Sequence, residues 1–457
     1  MNTTYKICVI GGAGYVGLVT GLGLSELGHH VINVDVDQRS VNQLNAGESP
    51  IYEEGIDLVL RRNLGSGRIK FSTDLKSSVE DSLVVFIAVG TPSLPNGKID
   101  LSQVMEVASQ LRFCMNEYKV IVIKSTVLVG TTALIRDTLQ ESINQDQFDI
   151  VANPEFLREG TALKDFFFPD RIVLGGDSNN AISIMKSIYQ PIIKREVSVE
   201  GIESPSKENN HIPVIETGIA SAQIIKYASN AFLATRISFI NEIAGICELV
   251  NADIKEVANG MGYDSRIGHS YLEAGPGFGG PCLEKDLSAL INTVNQNKYE
   301  TELLQAILER NNKQVSSIVN KVERLLGHPI CNRTIGVLGL TFKPGTNDIR
   351  NSLSIRIISE LQNVGAVVQS YDPVVKAEML DVNTNVKLCD SAYAVADKAD
   401  ALVILTGWQD FVNLDYQRIY SDMATPCIVD SRNLLDAAKM VEMGFKYMGV
   451  GTSGYDI

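Results

Sequence analysis

The sequence predicts an α/β fold in which two doubly wound parallel sheets are joined by a central helical segment. Three observations support this prediction. Short apolar runs alternate with helical patterns over residues 6–174, a mainly helical pattern extends from Ile219 to about Leu326, and the strand–helix alternation begins again after Arg333. Because strands that alternate with helices are joined by crossover connections, they pair in parallel.

The first strand–turn–helix–strand unit lies within residues 6–35. Lys6–Ile10 is predicted as a buried strand, and Val31–Asp35 is predicted as the next one. Between them, Tyr15–Leu27 is predicted as a helix with Gly28 as its C-cap. The further strands predicted in this half are Leu83–Val89, Val120–Ile123, Ile150–Ala152 and Ile172–Leu174.

The rest of the chain divides by composition. A stretch rich in Ser, Pro, Asn, Glu and Lys, from about Gly201 to Thr217, is predicted to connect the first sheet domain to the helical segment. In the last part, Thr334–Leu340 is predicted as a strand and turn, and Ala366–Asp372 and Ala401–Leu405 as strands. We therefore expect domains at residues 1–205, 206–328 and 329–457.

Charge and composition exclude several classes of protein. The 457 residues include 54 acidic and 40 basic side chains, a net charge of −14, so most of the surface repels nucleic acid and anionic membranes. The seven cysteines contain no CxxC pair and the five histidines no metal-ligand spacing, so we expect neither a disulfide framework nor a metal site. The apolar run after Lys6 is too rich in glycine for a membrane helix, and we expect a cytoplasmic protein.

A glycine turn between the first strand and the first helix predicts a dinucleotide site. Gly12, Gly14 and Gly17 form a GxGxxG pattern, expected to serve the tight turn, the approach of a pyrophosphate and close helix–strand packing respectively. Asp35 closes the next strand, where its carboxylate would bind ribose hydroxyls and repel the extra phosphate of NADP. The pattern therefore favours NAD, although Arg39 nearby keeps NADP open.

The segment Val89-Gly90-Thr91 ends a buried strand at the edge of the sheet where doubly wound folds bind ligands. This position predicts a contact with the cofactor. A strand-terminating turn without such a contact is an equally good interpretation.

A cysteine at the end of a glycine- and proline-rich stretch is the strongest chemical signal. Gly275–Pro281 precedes Cys282, and a helical pattern then begins, with Pro281 predicted as the first helical position. The helix dipole in the first turn stabilises a thiolate, and Asp286 lies one turn further on the same face. We therefore predict that Cys282 is a nucleophile. The alternative is a small apolar residue beside a loop.

Two other groups of polar residues have helical spacing. Lys226 and Asn230 are four residues apart and would present an ammonium and an amide on one helix face, although a solvated surface pair is the commoner interpretation. Asn153–Gly160 predicts a helix start, with Asn as N-cap and Glu155 in the first turn. Its alternative is a pair of acids, Glu155 and Glu159, that complement the helix dipole.

Taken together, these residues resemble the UDP-glucose/GDP-mannose dehydrogenase family, and the resemblance covers essentially the whole chain. It depends on several separated motifs that occur in order. Besides the glycine turn, Asn153–Gly160, the Lys226–Asn230 pair and Gly277–Cys282, they are Lys124–Thr131, Pro169–Gly175, Arg266–Gly268, Gly339–Pro344 with Asp348–Arg350, Tyr371–Pro373 and Asp430–Asn433.

The resemblance implies an NAD-dependent, four-electron oxidation of a nucleotide sugar from C6 alcohol to acid. In that scheme the Cys282 thiolate traps the aldehyde as a thiohemiacetal, which is oxidised to a thioester and hydrolysed. The implied substrate is UDP-glucose and the product UDP-glucuronate, with GDP-mannose or another nucleotide sugar as the alternative. A non-catalytic NAD(H)-binding protein is the alternative of another class, and it has no use for a poised cysteine.

The resemblance also implies residue roles. The implied catalytic residues are Cys282, Lys226 for oxyanion stabilisation with Asn230, Asp286 and Thr126 for the water and its proton, and Glu155 for thioester hydrolysis. The implied cofactor-binding residues are Gly12, Gly14, Tyr15, Val16, Gly17, Asp35, Val89, Gly90, Thr91, Thr126, Glu159 and Arg350. The implied substrate-binding residues are Glu155, Phe156, Leu157, Arg158, Lys226, Asn230, Arg266, Tyr271, Gly279, Phe342, Lys343 and Arg432. Arg266 matches an arginine that reaches the substrate of a neighbouring subunit, so we expect a homodimer or a higher homo-oligomer.

The sequence departs from the family pattern beside the cysteine. Leu283 and Glu284 replace the frequent Phe-Pro, and Glu284 would raise the pKa of the Cys282 thiol if it pointed inward. Leu128, Asn351 and Gly407 are the other departures.

Overall fold

The computed structural model describes residues 3–94, 96–204, 211–295, 298–380 and 386–452. The chain forms two compact units, Met1–Ala228 and Ser229–Ile457. The boundary between them falls inside one long helix, Ile219–Val250. The helical segment of the chain is therefore shared between the two units.

The first unit contains an eight-stranded sheet with helices between most of its strands. Its strands are β1 Lys6–Ile10, β2 His30–Val34, β3 Ile69–Ser72, β4 Val84–Ile87, β5 Lys119–Ile123, β6 Phe148–Ala152, β7 Ile172–Gly175 and β8 Val214–Thr217. Its helices are α1 Tyr15–Glu26, α2 Gln38–Asn45, α3 Ile56–Gly65, α4 Leu75–Glu80, α5 Ser102–Leu111, α6 Thr131–Gln140, α7 Ala162–Phe167, α8 Asn179–Ile188, α9 Gln190–Ile193 and the start of α10 Ile219–Val250, with a 3₁₀ turn at Gln145–Gln147.

The strand order of this sheet is β3-β2-β1-β4-β5-β6-β7-β8. The six strands predicted from the sequence are confirmed within a residue or two, and so is the helix after the glycine turn. The C-cap of this helix is Leu27 and not, as predicted, Gly28, which follows it with a φ of +97°. Two strands were missed. One of them, β8, lies in the stretch predicted as a connection, of which residues 205–210 lie outside the described residues. The pairing of β6 with β7 is antiparallel, whereas the neighbouring pairings are parallel.

Within its described residues, the second unit contains the rest of α10, eight further helices and a six-stranded parallel sheet. Its further helices are α11 Ile254–Gly262, α12 Leu283–Asn295, α13 Glu302–Leu326, α14 Leu353–Asn363, α15 Ala392–Ala396, α16 Gln409–Val412, α17 Tyr416–Asp422 and α18 Ala437–Glu442, with a 3₁₀ turn at Ala377–Met379. Its strands are β9 Thr334–Leu338, β10 Val367–Tyr371, β11 Lys387–Leu388, β12 Ala401–Ile404, β13 Cys427–Asp430 and β14 Lys446–Gly449, in the order β11-β10-β9-β12-β13-β14.

Both sheets are covered on two faces, which explains why their strands are uninterrupted apolar runs. In β1, Ile7 and Val9 belong to one core cluster, whereas Cys8 and Ile10 belong to another. Because successive side chains of a strand point to opposite faces, both faces of this strand are buried. The predicted doubly wound fold is therefore confirmed in both units.

In both sheets, the strand that comes first in the chain lies in the interior of the sheet. In both units the chain starts in the middle, winds outward to one side and then returns to the other, so the carboxyl ends of β1 and β9 lie at a topological switch point where doubly wound folds bind ligands. None of the helices in the described ranges is both long enough and apolar enough to cross a membrane.

Candidate active site

The turn after β1 brings the start of α1 close to the neighbouring strand. Gly11 has a φ of +81°, so the left-handed conformation that the turn needs belongs to Gly11 and not, as predicted, to Gly12. Gly12 is required for a different reason, since a Cβ there would lie 2.5 Å from the Cβ of Asn33. A Cβ on Gly17 would lie 2.0 Å from the Gly11 carbonyl oxygen, which fits its predicted role in close packing.

Asn33, which the sequence analysis missed, fixes the shape of this turn. It is fully buried on β2, and its Nδ2 donates to the carbonyl oxygens of Gly12 at 2.9 Å and Gly17 at 3.3 Å. An asparagine inside an apolar strand was the available signal. At the end of the same strand, Asp35 accepts from the backbone N–H of Ala13 at 3.0 Å.

The start of α1 is open to a ligand. Gly14 is the N-cap of α1 and is exposed, and it has no side chain that could occupy the first amides of the helix. Tyr15 and Val16 are half-buried in the first turn. The unsatisfied N–H groups of such a helix end bind anions.

The loops after β4 and β5 are tied to each other at the same edge of the sheet. The Thr91 hydroxyl donates to the Thr126 carbonyl at 3.0 Å, and the Ser125 hydroxyl donates to the Val89 carbonyl at 2.7 Å. Gly90, between them, is exposed. The structure therefore brings together the predicted loop residues at the carboxyl ends of the parallel strands.

A buried ion pair lies at the end of β6 in the first unit. Lys226 Nζ donates to Glu155 Oε1 at 2.8 Å, and the two side chains are 6% and 8% exposed. Burial alone raises the pKa of Glu155, but the Lys226 ammonium and the N–H of Leu157 outweigh it and lower that pKa below its usual range. Glu155 is therefore a carboxylate whose charge is stabilised by a lysine. Lys226 is buried, so it is not the solvated surface residue of the alternative interpretation.

A second lysine, Lys124, lies beside this pair. Its Nζ donates to Asn153 Oδ1 at 3.1 Å, and the same oxygen accepts from the Tyr189 hydroxyl at 2.8 Å. Burial lowers the pKa of Lys124 to about 8, partly offset by Glu155. The sequence analysis assigned no role to Lys124, although it stands two residues before Thr126.

The predicted helix start at Asn153–Gly160 is wrong, because this stretch is a loop and α7 begins only at Ala162. The Asn153 side chain cannot cap a helix there, since its Nδ2 donates to the Val173 carbonyl and its oxygen is used by Lys124. The loop nevertheless presents its residues to the ion pair. The centroid of the Phe156 ring is 3.7 Å from the guanidinium carbon of Arg171 and 5.3 Å from Lys226 Nζ.

The other residues of this loop lie nearer the surface. The Leu157 N–H donates to Glu155 at 2.5 Å. Arg158 is exposed and forms an ion pair with Asp165 at 2.6 Å, while Glu159 is half-buried.

In the second unit, Cys282 is exposed immediately before α12. The helix begins at Leu283, so Pro281 is not its first residue, and the Cys282 carbonyl accepts the first helical hydrogen bond, from the Asp286 N–H at 2.9 Å. Cys282 therefore occupies the N-cap position, where the helix dipole still favours a thiolate. Five other cysteines are buried, and burial raises the pKa of each.

The Asp286 carboxylate is buried one turn into α12. Asn230 Nδ2 donates to its Oδ2 at 2.6 Å, and Lys285 Nζ donates to its Oδ1 at 2.6 Å. The structure thus brings the predicted Asn230 and Asp286 together and adds Lys285. Glu284 forms an ion pair with Arg356 at 3.5 Å, so its charge is compensated at the helix surface.

Three buried amide side chains hold the glycine-rich loop before Cys282. Asn311 exchanges two hydrogen bonds with the backbone of Phe278, Gln314 donates to the Gly275 carbonyl, and Asn241 accepts from the Gly275 N–H. A Cβ on Gly277 would lie 2.3 Å from Asn311 Oδ1. The sequence analysis missed these amides, because they come from helices that are distant in sequence.

The same loop contacts the turn region that follows β9. The Gly280 N–H donates to the Asn351 carbonyl at 3.1 Å, and a Cβ on Gly279 would lie 2.7 Å from that oxygen. Gly280 lies against the Phe342 ring, and Lys343 Nζ is 5.6 Å from the centroid of that ring. Predicted substrate residues therefore adjoin the cysteine loop.

Arg432 follows β13 and faces this region. Its Nε donates to the Leu405 carbonyl at 2.7 Å, and burial lowers its pKa to about 10, partly offset by Asp430. Arg266 pairs with Asp264 and is 87% exposed, Arg350 pairs with Asp348 and is exposed, and Tyr271 is half-buried with a positive φ.

The chain matches three parts of one protein family. The NAD binding domain of the UDP-glucose/GDP-mannose dehydrogenase family matches residues 5–193, its central domain matches residues 220–313 and its UDP binding domain matches residues 336–437. Among relatives, the chain is 41% identical over 448 residues to the UDP-glucose 6-dehydrogenase TuaD of Bacillus subtilis (strain 168), covering 98% of this chain and 93% of that protein.

Solved structures of related enzymes have the same architecture. A UDP-glucose dehydrogenase from the hyperthermophilic archaeon Pyrobaculum islandicum matches with a TM-score of 0.88 and 34% identity, and the match covers 99% of each chain. A GDP-mannose dehydrogenase from Pseudomonas aeruginosa matches with a TM-score of 0.51 and 32% identity, covering 94% of this chain and 97% of that one. This chain belongs to the UDP-glucose/GDP-mannose dehydrogenase family and is an NAD-dependent dehydrogenase.

Proposed function

We propose that the chain is a UDP-glucose 6-dehydrogenase that oxidises UDP-glucose to UDP-glucuronate through a cysteine thioester. The observation that carries the proposal is the exposed Cys282 at the N-cap of α12, one turn before the buried carboxylate of Asp286. A thiol in this position is suited to covalent catalysis, whereas a two-electron dehydrogenase or a non-catalytic NAD-binding protein has no use for it.

The first unit fits NAD. The open N-terminus of α1 suits the pyrophosphate, and Asp35, which is only partly buried, is available for the ribose hydroxyls. We propose that residues 1–205 bind the cofactor, residues 206–328 carry the lysine and the cysteine, and residues 329–457 bind the nucleotide sugar. When bound, NAD supplies the hydride acceptor for both oxidations.

The chemistry is two oxidations separated by bond formation at sulfur. The C6 alcohol loses a hydride and a proton and becomes an aldehyde, and the Cys282 sulfur then bonds to the aldehyde carbon. The resulting thiohemiacetal loses a second hydride and proton and becomes a thioester. Water attacks the thioester carbon, the carbon–sulfur bond breaks, and a carboxylate and the free thiolate are formed. The covalent bond retains the sugar while one cofactor is exchanged for another.

We propose the residue roles that the family resemblance implies, which the buried ion pair of Lys226 and Glu155 supports. The Lys226 ammonium, held in place by Glu155, stabilises negative charge on the reacting oxygen, and Asn230 assists it. Asp286 and Thr126 handle the hydrolytic water and its proton, and Glu155 acts in thioester hydrolysis. Phe156, Leu157, Phe342, Lys343 and Arg432 belong to the proposed sugar site, together with the remaining residues that the family resemblance implies.

UDP-glucose is a better candidate than GDP-mannose. The two named structures have similar sequence identity to this chain, but the UDP-glucose dehydrogenase matches with a TM-score of 0.88 and the GDP-mannose dehydrogenase with 0.51. The 41% identity to a UDP-glucose 6-dehydrogenase over 98% of this chain also supports UDP-glucose. The alternative substrate is distinguished by the experiment below.

We also propose that the enzyme is a homodimer or a higher homo-oligomer in the cytoplasm. Phe232, Phe239 and Ile246 recur every seven residues along α10 and are 62%, 49% and 48% exposed. Seven residues are about two helical turns, so these side chains form one apolar stripe that suits a second copy of the chain.

Mass measurement by light scattering is expected to give at least a dimer and, for Phe239→Asp, a shift toward monomer. A monomeric wild-type protein would contradict this proposal.

The proposed function is tested by counting NADH. Purified protein is incubated with NAD and a limiting amount of UDP-glucose, GDP-mannose or UDP-N-acetylglucosamine, and NADH is measured by absorbance. We expect two NADH per sugar with UDP-glucose and no comparable turnover with the other two. Two NADH per GDP-mannose would transfer the assignment to that substrate, and one NADH with an aldehyde product would refute the thioester scheme.

A further inference from the structure

Glu53 is a buried acid that none of the predicted motifs includes. It lies in the first unit between α2 and α3, and it is 7% exposed. An isolated buried carboxylate is costly, so its partners show what it is for. Among the described residues, the Tyr15 hydroxyl and three backbone N–H groups donate to it, and each of these donors lies at least 38 residues away in the sequence.

The first set of donors comes from the loop after β6. The Gly160 N–H donates to Glu53 Oε2 at 2.7 Å, and the Ala162 N–H donates to Oε1 at 2.6 Å. Leu163 adds a third backbone hydrogen bond. Glu53 therefore holds the end of the loop after β6 and accepts from the first amides of α7. The side chain of Thr161, the N-cap of α7, makes no capping hydrogen bond there.

The other donor comes from the glycine turn. The Tyr15 hydroxyl donates to Glu53 Oε2, and the same hydroxyl accepts from the Gly160 N–H at 2.9 Å. Tyr15 is the first residue of α1, directly after Gly14, the N-cap. One carboxylate thus joins the start of the pyrophosphate-binding helix to the loop that carries Glu155 and Glu159.

We propose that Glu53 is a positioning residue for the cofactor, which acts through Tyr15 and Gly160 to hold the glycine turn and the loop after β6 in one arrangement. Glu53 itself does not reach the start of α1 except through the tyrosine. Charge-assisted hydrogen bonds to backbone N–H groups are short and directional. They therefore suit this joint, by which we mean the connection through Glu53 between the glycine turn and the loop after β6, because its geometry must be kept when the cofactor binds. The inference requires the NAD site of the proposed function but not the choice of sugar.

The test is the binding of NADH to the purified full-length protein in the absence of sugar. The Kd is measured from the fluorescence of the nucleotide. Glu53→Gln replaces one acceptor oxygen by an N–H donor that faces other N–H donors, and Tyr15→Phe removes only the hydroxyl. Each variant is expected to raise the Kd for NADH about tenfold. Because both break the same joint, the double variant is expected to bind about as weakly as either single variant and not a hundredfold more weakly.

Glu26→Gln is the matched control. Glu26 lies at the other end of α1, where it accepts from Arg62 and from Asn63 at 2.6 Å. We expect this variant to lower the Tm without changing the Kd for NADH.

Two results would overturn the proposal. One is an unchanged Kd for NADH in folded Glu53→Gln and Tyr15→Phe proteins, which would leave the joint only a structural role. The other is an additive loss in the double variant. Neither depends on sugar turnover, so a wild-type protein that binds NADH but does not oxidise UDP-glucose would refute the proposed function and leave this inference intact.

Discussion

Asp35 and Asp372 occupy the same topological position in the two sheets but have different partners. Each follows the second strand counted outward from the switch point, β2 in the first unit and β10 in the second. Asp35 is half-buried and accepts from two backbone N–H groups. Asp372 is 4% exposed, and its Oδ2 accepts from the backbone of Leu340 and Thr341, from the Thr341 hydroxyl and from Trp408 Nε1.

We infer from the difference that the two units suit two different ligands. After β1 the chain enters α1 within a few residues, so amides and an acid are both available to a dinucleotide. After β9 the chain runs as a loop from Gly339 to Ser352 before α14 begins, and the acid is used to hold that loop. The second unit therefore offers a loop with Phe342 and Lys343 in place of a phosphate-binding helix.

The charged clusters differ in a similar way. The first unit buries a carboxylate, that of Glu155, beside two lysines, Lys226 and Lys124. Its contribution is therefore a cluster of buried charged groups. The second unit buries Asp286 between Asn230 and Lys285 and leaves its thiol, Cys282, exposed. We infer a division in which the first unit promotes hydride removal and the second holds the substrate covalently.

The largest expected effect that tests this division is that of Lys226→Met. Without the ammonium, kcat is expected to fall about a thousandfold, because a charged oxyanion donor is lost. Steady-state NADH formation measures it. The double variant Lys226→Met/Glu155→Gln removes the uncompensated charge and is expected to recover stability but not kcat. Lys186→Met, which breaks an exposed pair with Glu216, is the control, and an equal loss of kcat in that variant would refute the assignment.

The next largest expected effect is on the pH dependence of the free energy of unfolding, and it comes from Lys124. Between about 8, its pKa in the folded protein, and 10.5, the unfolded chain holds a proton that the folded chain has lost. The free energy of unfolding therefore rises with pH across that window, by up to about 3 kcal/mol from this group. Denaturant unfolding of Lys124→Met is expected to lack this rise.

Lys76→Met serves as the control for Lys124→Met, because Lys76 is 67% exposed in a weak pair with Glu80. We expect it to follow the pH dependence of the wild type. A Lys124→Met variant that keeps the same rise would show that burial of Lys124 is not its cause.

The two acids are compared directly by Asp35→Asn and Asp372→Asn. Asp372→Asn turns an amide N–H toward several N–H donors, so we expect a loss of about 2 kcal/mol in unfolding free energy and an unchanged KM for NAD. Asp35→Asn is expected to raise the KM for NAD about tenfold and reduce the discrimination against NADP, with little loss of stability. The reverse pattern would break the comparison.

The smallest expected effect is that of Glu284→Gln. Because Arg356 compensates Glu284, removal of the charge is expected to change the rate of Cys282 alkylation by iodoacetamide less than threefold. A much faster reaction would mean that Glu284 acts on the thiol. Arg356→Gln, which frees Glu284, is expected to slow the reaction.

The sequence was most informative where the determinants are local. The turn from β1 into α1 could be predicted because the apolar strand, the glycine spacing and Asp35 lie within about thirty residues. The same holds for Cys282 and Asp286, which are one helical turn apart. Such patterns need no knowledge of what packs against them.

Local patterns failed where distant residues decide the structure. Asn153, followed by Pro154, has the pattern of a helix start. Its side chain instead forms hydrogen bonds with Lys124, Tyr189 and Val173, and the segment is a loop. Asn311, on α13, supports the cysteine loop from more than thirty residues away. Short strands such as β11, with two residues, have too little pattern to be recognised.

The most direct test of the central claim is the NADH yield of Cys282→Ala with limiting UDP-glucose, compared with Cys331→Ala, the variant of the other exposed cysteine. We expect two NADH per sugar for the wild type and for Cys331→Ala. Cys282→Ala is expected to yield at most one, because an aldehyde that is not trapped by sulfur cannot become a thioester. Two NADH per sugar from Cys282→Ala would contradict the account.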